Sequence, residues 1–173
     1  YSYGLYATIL AGKLEQYRQA EEFGQLSMKL SERFENISVR ARSYFLFGTF
    51  VNPWNYPLHT NLQYFERSFD YSISAVDLLY SYNSYIHSHD TRSLMGQNLD
   101  ELYAYTQNYI DFILKVHDFK TIETLKITQK MILALQGKTS HPCVFDPKAE
   151  NDDALLDHLQ KRRTKFPLLI YYI

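Results

Sequence analysis

An all-α fold built from tandem antiparallel helix pairs is predicted by three features of this 173-residue sequence. Apolar positions recur with a helical period in almost every segment, while the alternation expected of half-buried strands is scarce. Only six glycines and five prolines occur, the composition of a well-ordered, mostly regular chain and not of a linker. Helices rich in aromatics alternate with amphipathic ones, and the later aromatic-type helices start about forty residues apart, the spacing of a helical repeat.

The first aromatic helix runs from Tyr1 to about Ala11. From Glu15 to Phe34 an amphipathic partner keeps Tyr17, Ala20, Gly24, Ser27, Leu30 and Phe34 on one face. Its small middle members let another backbone come close. A second aromatic helix spans Val39 to Val51, and Asn52-Pro-Trp-Asn-Tyr-Pro57 then breaks the pattern as a loop, with Trp54 plugging apolar surface beneath it. The partner, Thr60 to about Ala75, turns Leu62, Phe65, Phe69, Ser72 and Ile73 inward behind a Thr60/Gln63 capping box.

Asp77 is the N-cap expected for Leu78 to Met95, and Gly96 stands where that helix stops. Asn98, with Glu101 three residues on, opens a helix that faces Leu102, Tyr105, Thr106, Tyr109, Ile113 and Val116 to a core. Asp118 and Gly137 bracket Phe119 to Gln136 in the same way. After a break at His141-Pro-Cys-Val-Phe-Asp-Pro147 comes an amphipathic stretch around Asn151 to Lys161. The helix pairs are therefore 1–35, 38–75, 78–117 and 119–162, with 164–173 starting a further helix. Stacked in order, they give a tetratricopeptide-like (TPR-like) right-handed superhelix, an α-solenoid fragment whose first helices line the concave side. The tetratricopeptide consensus itself is met loosely, since its proline and tryptophan landmarks are missing.

Composition limits the partners. The formal charge is −1 and the pI about 6.6, so no long-range field draws nucleic acid. The one basic run, Lys161-Arg162-Arg163, follows a helix carrying Asp152, Asp153 and Asp157, where cations complement the helix dipole. Cys143 is the only cysteine, which excludes an internal disulfide and a multi-cysteine zinc site and fits a cytoplasmic setting. No apolar stretch suggests a membrane span. The start at Tyr1 and the apolar end, Phe166 to Ile173, point to a segment of a longer chain.

The stretch Glu22-Phe-Gly-Gln-Leu-Ser-Met-Lys-Leu-Ser-Glu-Arg-Phe34 carries a resemblance, continued by Phe45-Leu-Phe-Gly-Thr-Phe50, Tyr80-Ser-Tyr-Asn83, Gly96-Gln-Asn-Leu-Asp-Glu-Leu102 and Leu133-Ala-Leu-Gln-Gly137. In this order they resemble the helical region of large multidomain signalling kinases of bacteria and fungi. There a serine/threonine-kinase-like region and a predicted AAA/STAND-type ATPase precede helical repeats, GAF and histidine-kinase modules. Val76-Asp77 stands where that family usually has Gly-Asp. The resemblance implies a helical sensing or scaffolding segment C-terminal to the ATPase.

The sequence carries no glycine-rich phosphate loop and no kinase catalytic set. His117-Asp118 has the dipeptide context of a phospho-accepting histidine, but it falls at a helix junction. Pro142 splays His141 from Cys143, against a nucleophilic pair. His87, His89 and Asp90 converge on a metal only if their helix ends there, because helical residues two apart point about 200° from one another. The remaining candidate is an aromatic protein-interaction groove formed by Tyr44, Phe47, Tyr80, Tyr82, Tyr85, His87 and His89, for which tyrosine offers area, a polar tip and little entropy to lose. Packing between helices is the competing role for each. The expectation is a non-catalytic scaffold without cofactor, binding another protein or another domain of its own chain. The alternative is a small helical metal protein or enzyme using His87, His89 and Asp90.

Overall fold

The computed structural model describes residues 1–34, 36–116 and 119–139, together with positions 157 and 160. It is all-helical, with no strand among the described residues. The helices are α1 (Ser2–Gly12), α2 (Tyr17–Arg33), α3 (Ile37–Leu46), α4 (Asn52–Asn55), α5 (Asn61–Ser74), α6 (Leu78–Leu94), α7 (Leu99–Val116) and α8 (Phe119–Leu135). They form two compact units, Tyr1–Gly96 and Gln97–Ile173. His117-Asp118, His141, Cys143 and Lys161 to Arg163 lie outside the described residues.

In the first unit α1 packs on α2, α2 on α3, α3 on α5 and α5 on α6, while α3 also touches α1 and α6. Small side chains make these approaches possible. Ala20, Gly24, Ser27 and Ser31 are the buried residues of α2, and Asn61, Phe65, Ser68 and Ser72 those of α5. Serines also bridge the contacts: Ser27 Oγ donates to Ser43 Oγ at 3.1 Å, and Ser84 Oγ donates to Ser68 Oγ at 2.8 Å, which in turn donates to the Ala41 carbonyl at 2.8 Å. Each hydroxyl is thereby buried with a partner. Gly24 is tightest, since a β-carbon there would stand 2.5 Å from Phe47 Cδ2.

The Asn52 to Pro57 segment departs from the expected loop. The helical path continues from α3 through a π-helical turn, Phe47–Val51, into α4, with the Asn52 N–H donating to the Phe47 carbonyl five residues back. Pro53 brings no N–H, and its ring would crowd the carbonyl four residues earlier in a regular α-helix. The wider turn ends just before it. Trp54 does not plug apolar surface: it is 57% exposed and stacks on Tyr17 with ring centroids 5.0 Å apart. Asn52 is buried and donates to Thr60 Oγ1 and Asn61 Oδ1, each at 2.6 Å, which fastens the returning chain. Thr60 is thus occupied elsewhere and makes no side-chain cap on α5.

The expected caps at Asp77 and Asn98 form. Asp77 Oδ1 accepts from the Tyr80 N–H at 3.3 Å, and Asn98 Oδ1 accepts from the Asp100 N–H at 2.8 Å. Gly96 (φ 73°) and Gly137 (φ 67°) close their helices in the left-handed region. Val76 does the same job at φ 55°, although it is β-branched. In the second unit α7 packs on α8, with Gln129 Nε2 donating to Gln107 Oε1 at 2.9 Å and Lys138 Nζ 3.0 Å from Asp100 Oδ1.

Candidate functional site on the face of α1, α3 and α6

Because α3 touches both α1 and α6, the three first helices of the hairpins in this unit lie side by side. Asp77, capping α6, organises their shared face. Its Oδ2 accepts from Arg42 Nη2 at 2.9 Å, from Arg42 Nε at 3.3 Å and from Ser38 Oγ at 3.3 Å, so one carboxylate ties α3 to α6. The Arg42 guanidinium also stands over the Tyr80 ring, 5.1 Å from its centroid. Such a contact adds about 0.5–1 kcal/mol at an exposed site. Tyr1 brings α1 into the cluster, its hydroxyl 3.4 Å from that of Tyr80.

Burial first, and then the hydrogen bond with Tyr1, push the Tyr80 hydroxyl up to about 12, against the opposing pull of Arg42. The phenol therefore stays protonated and able to donate at neutral pH. Arg42 keeps 39% of its side chain exposed, and Tyr1 is 39% exposed. What this face offers a ligand is ring surface, hydroxyl groups and a neutralised ion pair.

The seven residues expected to line a groove take different places. Tyr80 and Tyr82 are both half-buried, and the Tyr80 ring packs against the cluster of Phe45 and Phe65 while its other side meets Arg42. Tyr44, Phe47, Tyr85 and His89 are buried at 2–3% exposure, the packing role that competed with the groove role from the start. Phe47 fills the gap over Gly24 and meets Tyr64 edge to face at 4.8 Å. Tyr44 donates to a carboxylate oxygen of Glu32, receives Arg67 Nη1 at 3.4 Å and has its hydroxyl pKa raised, chiefly by burial and then by Glu32. His87 is half-buried between Phe45 and Phe65, with centroids 5.2 and 5.7 Å away. Burial lowers its pKa, with Asp90 pulling the other way.

Convergence of His87, His89 and Asp90 on one ion required α6 to end near them. Instead α6 runs on to Leu94, which keeps the two imidazoles on different sides of the helix. His89 Nδ1 lies 3.5 Å from Asp90 Oδ1, and its Nε2 is buried without a hydrogen-bond partner. Among the described residues no three His, Cys, Asp or Glu side chains are grouped to hold a metal. No helix there is long and apolar enough to cross a membrane.

Sequence reasoning missed Ser38, Arg42 and Asp77 as partners, since Asp77 was read only as a cap. The signal available was an arginine one turn into an aromatic helix, opposite the acid that opens the next one. Comparison with family models, with curated proteins and with solved structures gives no match to this chain.

Proposed function

We propose that this chain is a scaffold segment of TPR-like, right-handed superhelical type, which binds a protein segment from another chain or from elsewhere in its own. The observation that carries the reading is the face on which Tyr1, Arg42 and Tyr80 meet across α1, α3 and α6. First helices set side by side, each backed by a second helix, are the arrangement from which helical repeats build a recognition surface. Aromatic rings and an arginine in one cluster are also the side chains that dominate protein-binding energy.

The segment is non-catalytic in this reading and needs no cofactor. From the sequence resemblance comes a further expectation, that binding is coupled to the ATPase or kinase output of a multidomain signalling kinase. A partner that prefers one curvature of the helix stack would bias the domain joined to it. Site-specific crosslinking tests the reading. With p-benzoylphenylalanine at position 80, and in parallel at exposed position 22, crosslinks from 80 are expected to gather in one discrete protein segment and to weaken in an Arg42→Ala background. Equal, scattered labelling from both positions would refute it.

A further inference from the structure

A second exposed aromatic group is built from α2 and the end of α4, not from the face shared by α1, α3 and α6. Tyr17 and Glu21 lie one turn apart on α2, so their side chains are neighbours. Trp54 stacks on Tyr17 with an interplanar angle of 17°, and its 57% exposure leaves the other face of the indole open. Tyr56, 45% exposed, donates its hydroxyl to Glu21 Oε1 at 2.5 Å. Asn55 fastens this end of α4 to α2, its Nδ2 standing 3.4 Å from the Tyr17 carbonyl. Gln16, beside Tyr17, donates its backbone N–H to the Leu10 carbonyl, so the group lies by the end of α1 remote from Tyr1. Glu21 is half-buried, and its partners among the described residues are both neutral: Tyr56 and Gln25 Nε2, which donates at 2.9 Å, each bond to Oε1. Nearby Arg18 is paired instead with Glu22, at 3.6 Å. The Glu21 charge reaches both phenols: their hydrogen bond raises the Tyr56 pKa, and burial and then Glu21 raise that of Tyr64.

We infer that Tyr17, Glu21, Trp54 and Tyr56 form a seat for an arginine side chain of a partner protein segment, whose guanidinium stacks on the exposed indole while Glu21 balances its charge. Charge selects the occupant. A carboxylate beside open ring faces attracts a cation twice, by ion pairing and through the ring quadrupole, and it repels a carboxylate or a phosphate. Shape selects arginine over lysine, because the guanidinium is planar and more weakly hydrated than an ammonium. An uncharged ring or a sugar would use the stacking alone and leave the carboxylate without a counter-charge. Each attraction is small at an exposed position, so the seat is one anchor point and not a whole interface. It stands or falls independently of the reading given to the face of α1, α3 and α6.

Trp54 is the only tryptophan, so its indole N–H resonance reports on this site alone. On the full chain at fixed ionic strength, two probes of nearly the same shape are compared: Nα-acetylarginine amide, a cation, and Nα-acetylcitrulline amide, which is uncharged. The arginine probe is expected to shift the indole N–H and the Glu21 amide saturably, with an affinity about tenfold above that of the citrulline probe. Glu21→Gln, with helical circular dichroism unchanged, should weaken the arginine probe about threefold and leave the citrulline probe unmoved. Asp70→Asn, which removes an exposed carboxylate from α5, should alter neither. Equal binding of the two probes, shifts that fail to saturate, or an unaltered arginine affinity in Glu21→Gln would overturn the inference. So would an equal loss in Asp70→Asn, since the probe would then be drawn by net charge and not by this seat.

Discussion

Val76 occupies the left-handed position that closes α5, and replacing it by glycine is expected to stabilise the protein. The motif is complete in its hydrogen bonds: the Asp77 N–H donates to the Ser72 carbonyl at 2.8 Å and the Val76 N–H to the Ile73 carbonyl at 3.0 Å. Only the side chain is out of place. At φ 55° a β-branched residue pushes its β-carbon against the following carbonyl, at a cost of about 2 kcal/mol within a range of roughly 1–3. Against that relief, glycine loses more chain entropy on folding, about 0.5–1 kcal/mol. Little packing is forfeited, because Val76 is 80% exposed.

The net expectation for Val76→Gly is a gain of about 1 kcal/mol, seen as an upward shift of roughly 0.5 M in the urea midpoint at unchanged slope. Val76→Asn should recover part of it, since asparagine tolerates this region. Val76→Ala retains the β-carbon and should gain far less than glycine. A Val76→Ala gain equal to that of Val76→Gly, or a lower midpoint for Val76→Gly, would refute the strain argument.

Gly24→Ala should destabilise by about 1–2 kcal/mol in the same assay, because the new β-carbon would meet Phe47 at 2.5 Å, while Gly12→Ala, with open space around it, should be neutral or slightly stabilising. Asn52→Ala removes two hydrogen bonds, the one to Asn61 fully buried, and leaves Asn61 Oδ1 short of a donor, for an expected loss of about 2–3 kcal/mol in denaturant unfolding. For Arg42 and Asp77, a double-mutant cycle to alanine should give a coupling of only about 0.5–1 kcal/mol, since the arginine is 39% exposed and screened by water. His87 has a folded pKa below its ordinary 6.5, so the unfolded chain binds the extra proton and stability must fall as pH drops below that value. Melting curves between about pH 7.5 and 5 should show this fall, and His87→Leu should flatten it.

The helices were legible because their signals are local. A cap such as Asp77 or Asn98 acts within three residues, a stop such as Gly96 or Gly137 acts on the turn before it, and a one-sided run of small residues marks a close contact wherever its partner lies. Phe34 shows where periodicity fails: it keeps the phase of the buried face of α2, yet it is the C-cap, with ψ 122°, and the chain has left the helix there. Asn52 to Pro57 was misread because two prolines signal a break, while the π turn that accommodates Pro53 begins at Phe47, which lodges over Gly24. That contact spans 23 positions of sequence, and nothing near Pro53 announces it.

The groove residues failed to separate for a related reason. Tyrosine has the same local preferences in a core as on a rim, so sequence could not divide Tyr44 and Tyr85 from Tyr80. What divides them is the packing of the hairpins. Where facing positions are Ala, Gly and Ser, the backbones close up, as at Ala41, Ser68 and Ser84, and rings are driven to the margins of the contact. A margin shared by two hairpins buries its rings, which is the fate of Tyr44 beside Tyr64 and Tyr71. A margin beyond the last packed contact leaves them exposed, as with Tyr1. Close packing by small residues and an aromatic outer face are therefore one property of this chain, and enlarging the small residues should disturb the exposed rings without touching them. Ser68→Val offers the direct check: by forcing α3, α5 and α6 apart it should weaken the Arg42–Asp77 pairing, and the coupling measured in the double-mutant cycle should fall towards zero. A coupling unchanged in that background would mean that the exposed face is held by its own contacts, not by the serine-mediated approach beneath it.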